Sequence, residues 1–342
     1  MAEGYRGLRE RFPEADWGAI ARTEGVYPAA CTPHYAALIR TAGDPLWRQC
    51  VPDPAELDDA GLAPDPLAEE HYSPLPGLVH RYPDRVLLLA ADHCPLYCRF
   101  CTRKRRIGTV RPLAALRRDH EAACRYIAAR PAIRDVLVSG GDPLTLPDDM
   151  LCALLEQLAA IPHLALIRLG TRALCTWPER ITDAFAEKLA RFPSLWINTH
   201  FNHPAELCPQ VREAARRLWS RGIPLGAQTV LLRGVNDNAE TLASLFMGLL
   251  SFKIRPYYLH LPDLVRGTGH FRVPLARALE LYGSLQGALS GMAIPRMMLD
   301  LPGGGGKVPL VPEYPGPCRD GIRQIRNWEG ELYPYPEVGD DG

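Results

Sequence analysis

The sequence lacks the features of membrane and exported proteins. Its 342 residues contain no apolar run near the ~18 residues that a membrane span needs. Residues 1–20 are polar and have no apolar segment of the signal-peptide kind, so we expect no export. Net charge is also absent, because 39 lysine and arginine residues balance 39 aspartate and glutamate residues. The sequence therefore predicts a cytoplasmic protein with neither nucleic acid nor membrane as a partner.

Disulfide bonds are not expected either, although the chain has ten cysteines. In a reducing compartment cysteines remain thiols or bind metal. Isolated cysteines are usually small buried apolar side chains, and seven fit that description: Cys31, Cys50, Cys124, Cys152, Cys175, Cys208 and Cys318. The other three lie together in CPLYCRFCTRKRRIG, residues 94–108, and are candidates for metal binding.

Short apolar runs alternate with helical patterns from residue 85 onward. Six runs are rich in strand-favouring residues and almost continuously apolar, as strands buried on both faces are. They are RVLLLAA (85–91), DVLVSG (135–140), LALIRLG (164–170), LWINTHF (195–201), LGAQTVLL (225–232) and PYYLHL (256–261). The alternation predicts an α/β fold, a partial parallel (β/α)6 barrel, although an open doubly wound sheet would give the same pattern.

Three zones follow from this pattern. Residues 1–75 are rich in proline and alanine with short helical patterns, which predicts an N-terminal helical appendage. Residues 76–291 form the predicted barrel. Residues 292–342 form a C-terminal segment that opens with a possible strand, MAIPRMMLD, and carries Lys307. In barrels of parallel strands, function lies at the carboxyl ends of the strands.

Cys94, Cys98 and Cys101 follow the first predicted strand in the pattern Cx3CxxC. Three thiolates can hold three irons of a [4Fe–4S] cluster and leave the fourth iron open. S-adenosylmethionine carries an amino-carboxylate that can chelate this iron, and electron transfer from the cluster to its sulfonium yields a 5′-deoxyadenosyl radical. The alternative is a structural zinc site with a distant fourth ligand such as His93.

Polar residues also stand at the ends of later strands. SGGDP (139–143) follows the second strand, and its glycines would let the backbone approach a ligand closely. An ordinary turn is the alternative for this segment. We assign cofactor binding to the following strand-end residues: Ser139, Gly140, Gly141, Asp142, His200 and Gln228.

Lys307 follows four consecutive glycines in LDLPGGGGKVPL. The segment is not a P-loop, because no serine or threonine follows the lysine and the opening glycine is missing. One interpretation is a flexible turn with a solvated lysine. The other is a Schiff-base lysine for pyridoxal phosphate, for which flexible flanks would ease exchange with a substrate amine. Arg81 and Arg85 in HRYPDRVL are then candidates for the phosphate.

These segments together resemble the lysine 2,3-aminomutase family of radical S-adenosylmethionine enzymes that also use pyridoxal phosphate. The resemblance runs from about residue 70 to about residue 315 and is carried by HRYPDRVL, CPLYCRFCTRKRR, SGGDPL, NTHFNHP, QTVLLRGVND, RPYYLH, HFR and DLPGGGGK. It implies that Cys94, Cys98 and Cys101 bind the cluster. It further implies an imine at Lys307, phosphate binding by Arg81 and Arg85, binding of the substrate carboxylate by Arg103, and binding of the distal ammonium by Asp263 and Asp300.

The sequence departs from the family pattern at two places. Clostridial members bind a structural zinc through C-terminal cysteines and a cysteine near the GVND segment. Here that segment reads GVNDN and only Cys318 lies near the C-terminus, so we predict no structural zinc. His260 also stands where the family pattern has tyrosine. Of the cationic run after Arg103, we expect at least one of Lys104, Arg105 and Arg106 to be structural or solvated.

The activity that the resemblance implies is an isomerase reaction. It moves the amino group of an L-amino acid, with L-lysine preferred, from C2 to C3 through a pyridoxal phosphate imine and a 5′-deoxyadenosyl radical. The alternatives are an arginine 2,3-aminomutase and a supplier of β-lysine for modification of elongation factor P. A non-catalytic iron–sulfur or zinc protein is disfavoured by the placement of the lysine and arginines. The implied partners are an amino acid substrate, an electron donor such as flavodoxin or ferredoxin, and further copies of the chain in a homo-oligomer.

Overall fold

The computed structural model describes residues 2–58, 61–108 and 111–337. Nine strands in these ranges form one sheet whose order follows the chain. They are β1 (Leu78–Tyr82), β2 (Arg85–Ala91), β3 (Asp135–Gly140), β4 (Leu166–Gly170), β5 (Leu195–His200), β6 (Leu225–Val230), β7 (Arg255–His260), β8 (Arg296–Leu301) and β9 (Gly306–Pro309). Strands β2 to β8 are parallel, whereas β1 and β9 run antiparallel at the two edges.

Helices join the parallel strands in the manner expected of a barrel. The four N-terminal helices are α1 (Ala2–Arg11), α2 (Trp17–Glu24), α3 (Pro33–Leu38) and α4 (Trp47–Cys50). The helices that connect the strands are α5 (Leu113–Ala128), α6 (Asp148–Ala159), α7 (Ala173–Thr176), α8 (Asp183–Ala190), α9 (Pro209–Trp219), α10 (Ala239–Ser251) and α11 (Leu275–Leu285). The six predicted strand–helix units are thereby confirmed. The possible strand in residues 292–300 corresponds to β8, a seventh parallel strand.

The inner face of the sheet differs from the prediction. In β3, Val136 and Val138 are fully buried, whereas the alternate residues Leu137 and Ser139 line a central cavity. In β4, Arg168 likewise faces the cavity from between two buried residues. The expectation of strands buried on both faces is therefore wrong for the inner face, because this barrel surrounds a cavity instead of a packed core.

The N-terminal helices pack onto the barrel. Leu8, Tyr35 and Trp47 belong to the same continuous core as the buried strand residues. The Tyr35 hydroxyl also donates to Glu206 at 2.8 Å, which connects α3 to the loop after β5. The N-terminal region therefore contains helices that share their core with the barrel.

The C-terminal part of the chain contains a second sheet. Strands β10 (Pro315–Arg319), β11 (Ile322–Arg326) and β12 (Leu332–Pro336) pair antiparallel and are largely exposed. Strand β8 lies within the same predicted zone, yet it extends the barrel sheet. The division at residues 75 and 291 stays a prediction. No helix in the described ranges combines the length and the apolar character needed to cross a membrane.

Candidate active site

A cavity of about 310 Å³ lies at the carboxyl ends of the parallel strands. It brings together residues that are far apart in the sequence. The predicted site residues that line it are Cys94, Cys98, Cys101, Arg103, Ser139, Gly141, Asp142, His200, Gln228, Asp263, Asp300 and Lys307. Arg81 lies just behind this wall, with its Nη2 atom 3.6 Å from Asp300 Oδ1. Gly140 and Arg85 do not line the cavity.

The three cysteines lie on the loop between β2 and α5. Burial raises the pKa of the Cys94 thiol well above its usual range and that of Cys101 to about 11. Within the described residues, no group of three histidine, cysteine or acidic side chains is gathered around a point where one metal ion could bind. In a [4Fe–4S] cluster each thiolate binds its own iron, so the three thiols need not meet at one metal ion.

A buried ion network holds this loop against the N-terminal region. Glu56 is fully buried and accepts from Arg99 at 2.9 and 2.6 Å and from Lys104 Nζ at 2.7 Å. Arg105 pairs with Asp65 at 3.1 Å. The expectation that at least one of the cations after Arg103 has a structural role is met by Lys104 and Arg105.

The SGGDP segment packs against the backbone that leads into the cysteine loop. Gly140 has a φ of +115°, and a Cβ at Gly141 would lie 2.4 Å from the carbonyl oxygen of His93. The Asp142 carboxylate accepts from Thr171 Oγ1 at 2.7 Å and from the amide of Arg172 at 2.8 Å. The close approach that requires glycine is thus between two segments of the chain itself, which fixes the loop relative to β3.

Arg103 reaches the cavity but already has a carboxylate partner. Its Nε atom donates to both oxygens of Glu69 at 3.0 Å, and Nη2 donates to Oε1 at 2.5 Å. Burial would raise the pKa of Glu69, but Arg103 outweighs burial and lowers it. Glu69 is therefore a carboxylate that orients the guanidinium, and the Nη1 atom is not part of this pair.

Asp263 and Asp300 converge at the cavity from the ends of β7 and β8. Burial, followed by the charge of Asp300, raises the pKa of Asp263 to about 6. The Thr102 hydroxyl donates to Asp263, and Lys307 Nζ donates to Asp300. Each carboxylate is thus held by a hydrogen bond, and the two repel each other unless a cation lies between them.

The glycine run before Lys307 forms a tight hairpin between β8 and β9. Asp300 pairs with Lys307 and Leu301 with Gly306 in the antiparallel register. Gly303, Gly304 and Gly306 have φ values of 68°, 83° and 90°, which side chains strongly disfavour. The glycines are therefore required by the turn geometry, and the sequence-based argument from flexibility is not needed.

Tyr82 connects the two edges of the sheet beside Lys307. Its hydroxyl accepts from the backbone amide of Lys307 at 2.9 Å. The guanidinium of Arg85 stacks 3.8 Å from the ring centroid of Tyr82 and pairs with Asp84 at 2.8 Å. Arg81 lies 5.2 Å from the centroid of the same ring and 3.6 Å from Asp300, so the two predicted phosphate ligands share Tyr82 but pair with different carboxylates.

Histidines in the cavity are neutral. Burial lowers the pKa of His200 to about 3, and burial followed by Lys307 lowers that of His260 to about 3. His260 Nδ1 lies 3.8 Å from Asp300. Gln228 accepts from the Tyr257 hydroxyl at 3.3 Å. Neutral side chains here provide hydrogen bonds without adding charge to the cavity.

Sequence reasoning missed several cavity residues, of which Arg172 has the most direct contact with the cysteines. Its Nη1 atom donates to Cys98 Sγ at 2.9 Å. Thr102, which lines the cavity, and Glu69, which holds Arg103 from outside the cavity, were also missed. The available signal for Arg172 was its place two residues after β4, at the carboxyl end of a parallel strand.

Comparison with known proteins agrees with this geometry. A family model described as Radical SAM superfamily matches residues 89–246, and one described as Lysine-2,3-aminomutase matches residues 282–341. The L-lysine 2,3-aminomutase of Fusobacterium nucleatum is 42% identical over 328 residues, which cover 95% of this chain and 77% of that protein. This chain belongs to the lysine 2,3-aminomutase family.

Two other members of the lysine 2,3-aminomutase family show how wide the similarity is. The L-lysine 2,3-aminomutase of Methanococcus maripaludis is 41% identical and covers 99% of this chain and 79% of its own length. The glutamate 2,3-aminomutase of Clostridioides difficile is 40% identical over 89% of this chain and 72% of its own length. The chain is therefore a radical S-adenosylmethionine 2,3-aminomutase, an isomerase, and this membership implies a [4Fe–4S] cluster and S-adenosylmethionine as cofactors.

Proposed function

We propose that the substrate is L-lysine and that the product is β-lysine, with the amino group moved from C2 to C3. The observation that carries this proposal is the pair of carboxylates, Asp263 and Asp300, which line the same cavity as Arg103. The charge of Asp300 helps to raise the pKa of Asp263, and two carboxylates that interact in this way favour a cation between them. The side-chain ammonium of lysine is such a cation, and its α-carboxylate matches the guanidinium of Arg103.

The charge of the cavity supports lysine over glutamate, two substrates that overall identity does not separate. The relatives include enzymes named for lysine and for glutamate at 42% and 40% identity. A glutamate side chain would bring a third carboxylate to Asp263 and Asp300 and would be repelled. Arginine would satisfy the charge, but its planar guanidinium is larger than an ammonium, so the spacing of the anchors must distinguish these two substrates.

We also propose pyridoxal phosphate as a cofactor, bound covalently through Lys307. Two buried atoms beside Lys307 support this assignment. Within the described part of the chain, Arg81 Nη1 and Asp300 Oδ1 make no hydrogen bond, and Asp300 Oδ1 lies 3.6 Å from the cationic Nη2 atom of Arg81. A buried guanidinium N–H without an acceptor suits a phosphate oxygen, and a buried carboxylate oxygen without a hydrogen bond suits an ammonium. Arg85 is held by Asp84 and Tyr82 and would contribute less.

The residues of the chain then have separate tasks. Pyridoxal phosphate supplies a conjugated system that can hold the migrating amino group, and the cluster with S-adenosylmethionine supplies the radical that removes a hydrogen atom. Cys94, Cys98 and Cys101 would hold the cluster at one wall of the cavity. Arg103 and the aspartate pair would fix both ends of the substrate, and such positioning can lower a barrier by several kcal/mol.

The proposed partners follow from the same chemistry. The cluster must receive one electron from outside the chain, from a small donor such as flavodoxin or ferredoxin. A homo-oligomer is supported by exposed apolar side chains in the C-terminal region, among them Trp328, Leu332 and Tyr335, which are 55–59% exposed.

The test is anaerobic incubation of the reconstituted protein with S-adenosylmethionine, pyridoxal phosphate, dithionite and each of lysine, arginine and glutamate. We expect β-lysine as the main product, identified by mass spectrometry after derivatisation. A kcat/KM that is higher for arginine than for lysine would show that arginine is the preferred substrate. No amino shift on any cationic amino acid would refute the proposal.

A further inference from the structure

Arg172 is held against the middle cysteine of the loop by an extensive set of contacts. Its Nη1 atom donates to Cys98 Sγ at 2.9 Å. Its Nη2 atom donates to Gln49 Oε1 at 2.6 Å and to Glu206 Oε1 at 2.8 Å. The residue is 8% exposed. A guanidinium held at both ends has little freedom to leave the sulfur atom.

Glu206, the counter-charge of Arg172, is fixed in turn. It is fully buried, and its Oε2 atom accepts from the backbone amides of Asn202 at 2.7 Å and His203 at 3.0 Å. Its other oxygen accepts from Arg172 and from the hydroxyl of Tyr35. Arg172 thus lies between Cys98, the proposed cluster ligand, and Glu206, and it donates a hydrogen bond to each of them.

The contact of Cys98 differs from that of Cys101. Cys101 Sγ accepts from the backbone amide of Arg103 at 3.3 Å, a neutral donor. Cys98 receives a cationic donor at a shorter distance. Hydrogen bonds to the ligand sulfurs and nearby net charge both set the reduction potential of an iron–sulfur cluster.

We propose that Arg172 is a positioning and tuning residue that raises the reduction potential of the cluster through Cys98. This inference rests on the cluster ligands assigned under the proposed function. Reduction adds one electron, supplied by the external donor, to a cluster held by three thiolates. The added negative charge is shared by the ligand sulfurs, so a cation that donates to one of them stabilises the reduced form more than the oxidised form. Glu206 limits this effect, because it neutralises part of the charge of Arg172.

Because Arg172 and Glu206 carry opposite charges, their neutralisation should shift the midpoint potential of the cluster in opposite directions. The test measures the midpoint potential of the anaerobically reconstituted protein by a mediated dithionite titration followed by electron paramagnetic resonance. We expect Arg172→Met to favour the oxidised cluster at least tenfold, which corresponds to 59 mV for a one-electron couple. We expect Arg172→Lys to shift the potential less in the same direction and Glu206→Gln to raise it.

Arg180→Met is the matched control, because Arg180 is also well covered but pairs with Asp148 at 2.6 Å outside the cavity. It should leave the potential unchanged. Iron content is measured for every variant. If Arg172→Met loses iron, the tuning role is judged from the midpoint potentials of Arg172→Lys and Glu206→Gln. Full iron with unchanged potentials in these two variants would refute the tuning role. A wild-type protein that takes up no four-iron cluster would instead refute the proposed ligands themselves.

Discussion

Lys307 and Asp300 form an ion pair directly across the β8–β9 hairpin, where they are register partners. The carboxylate of Asp300 therefore already binds a primary ammonium, the group that the proposed substrate carries at its side-chain end. If the Lys307 nitrogen becomes bound to pyridoxal phosphate, Asp300 loses this partner and is available for another ammonium. Under the proposed function, the pair would therefore connect attachment of the cofactor with binding of the substrate.

Reduction with borohydride after incubation with pyridoxal phosphate should label Lys307 alone. The chain has only four lysines, so peptide mapping can resolve all of them. Lys104 is held by Glu56, Lys188 by Asp148, and Lys253 lies 3.8 Å from the centroid of the Trp219 ring. Lys307→Ala should abolish the label without loss of iron. A label found mainly on another lysine would contradict the assignment.

Replacement of any one of Cys94, Cys98 and Cys101 by alanine should abolish reductive cleavage of S-adenosylmethionine. The wild-type protein should contain about four irons after anaerobic reconstitution. Cys208→Ala and Cys318→Ala are the controls, because neither thiol lines the cavity, and both should keep full iron. Persistent cleavage activity in Cys98→Ala would show that the cluster is bound elsewhere.

Asp263→Asn and Asp300→Asn should each lower kcat/KM for lysine at least tenfold. Asparagine keeps the shape but removes half of the negative charge that faces the substrate ammonium, and a tenfold decrease corresponds to a loss of about 1.4 kcal/mol. The measurement compares lysine, arginine and ornithine in the wild type and both variants. Unchanged efficiency with lysine in both variants would eliminate these residues as the ammonium site.

The unliganded protein should gain stability when Asp263 becomes neutral. Burial and Asp300 raise the folded-state pKa of Asp263 to about 6, above its unfolded value. Its stability contribution is therefore complete at a pH below the unfolded pKa of about 4 and is lost as the pH rises through about 6. Asp263→Asn should raise Tm relative to the wild type more at pH 7.5 than at pH 5. An equal difference at the two pH values would contradict the raised pKa.

Glu69→Gln should weaken lysine binding, because Glu69 orients Arg103 through three short contacts. We expect KM for lysine to rise about tenfold, equivalent to ~1.4 kcal/mol, with a smaller change in kcat. The control is Glu70→Gln, since Glu70 is adjacent in sequence but exposed and pairs with Arg105 at 3.3 Å. Equal effects of the two substitutions would indicate a general electrostatic effect.

The sequence by itself determined the order of strands and helices and the family. The apolar runs and the helices between them follow local periodicity, which depends on residues that are near neighbours in the chain. The cysteine spacing, SGGDP and GGGGK are also local patterns. They named seven of the residues that line the cavity, Cys94, Cys98, Cys101, Ser139, Gly141, Asp142 and Lys307, and the family resemblance added Arg103, Asp263 and Asp300.

Tertiary structure alone decided the partners of those residues. Arg103 is engaged by Glu69, Cys98 by Arg172, and Asp300 by Lys307. Arg172 and Glu69 lie 74 and 34 residues from their partners, and although Arg172 follows the end of a predicted strand, no local pattern identifies the partner of either residue. The packing of distant segments also decided three other features. These are the cavity on the inner face of the sheet, the turn that requires glycine before Lys307, and the position of Arg85 outside the cavity. Contacts of this kind arise only when the barrel closes around its cavity, because only then do the charges at different strand ends come close enough to interact.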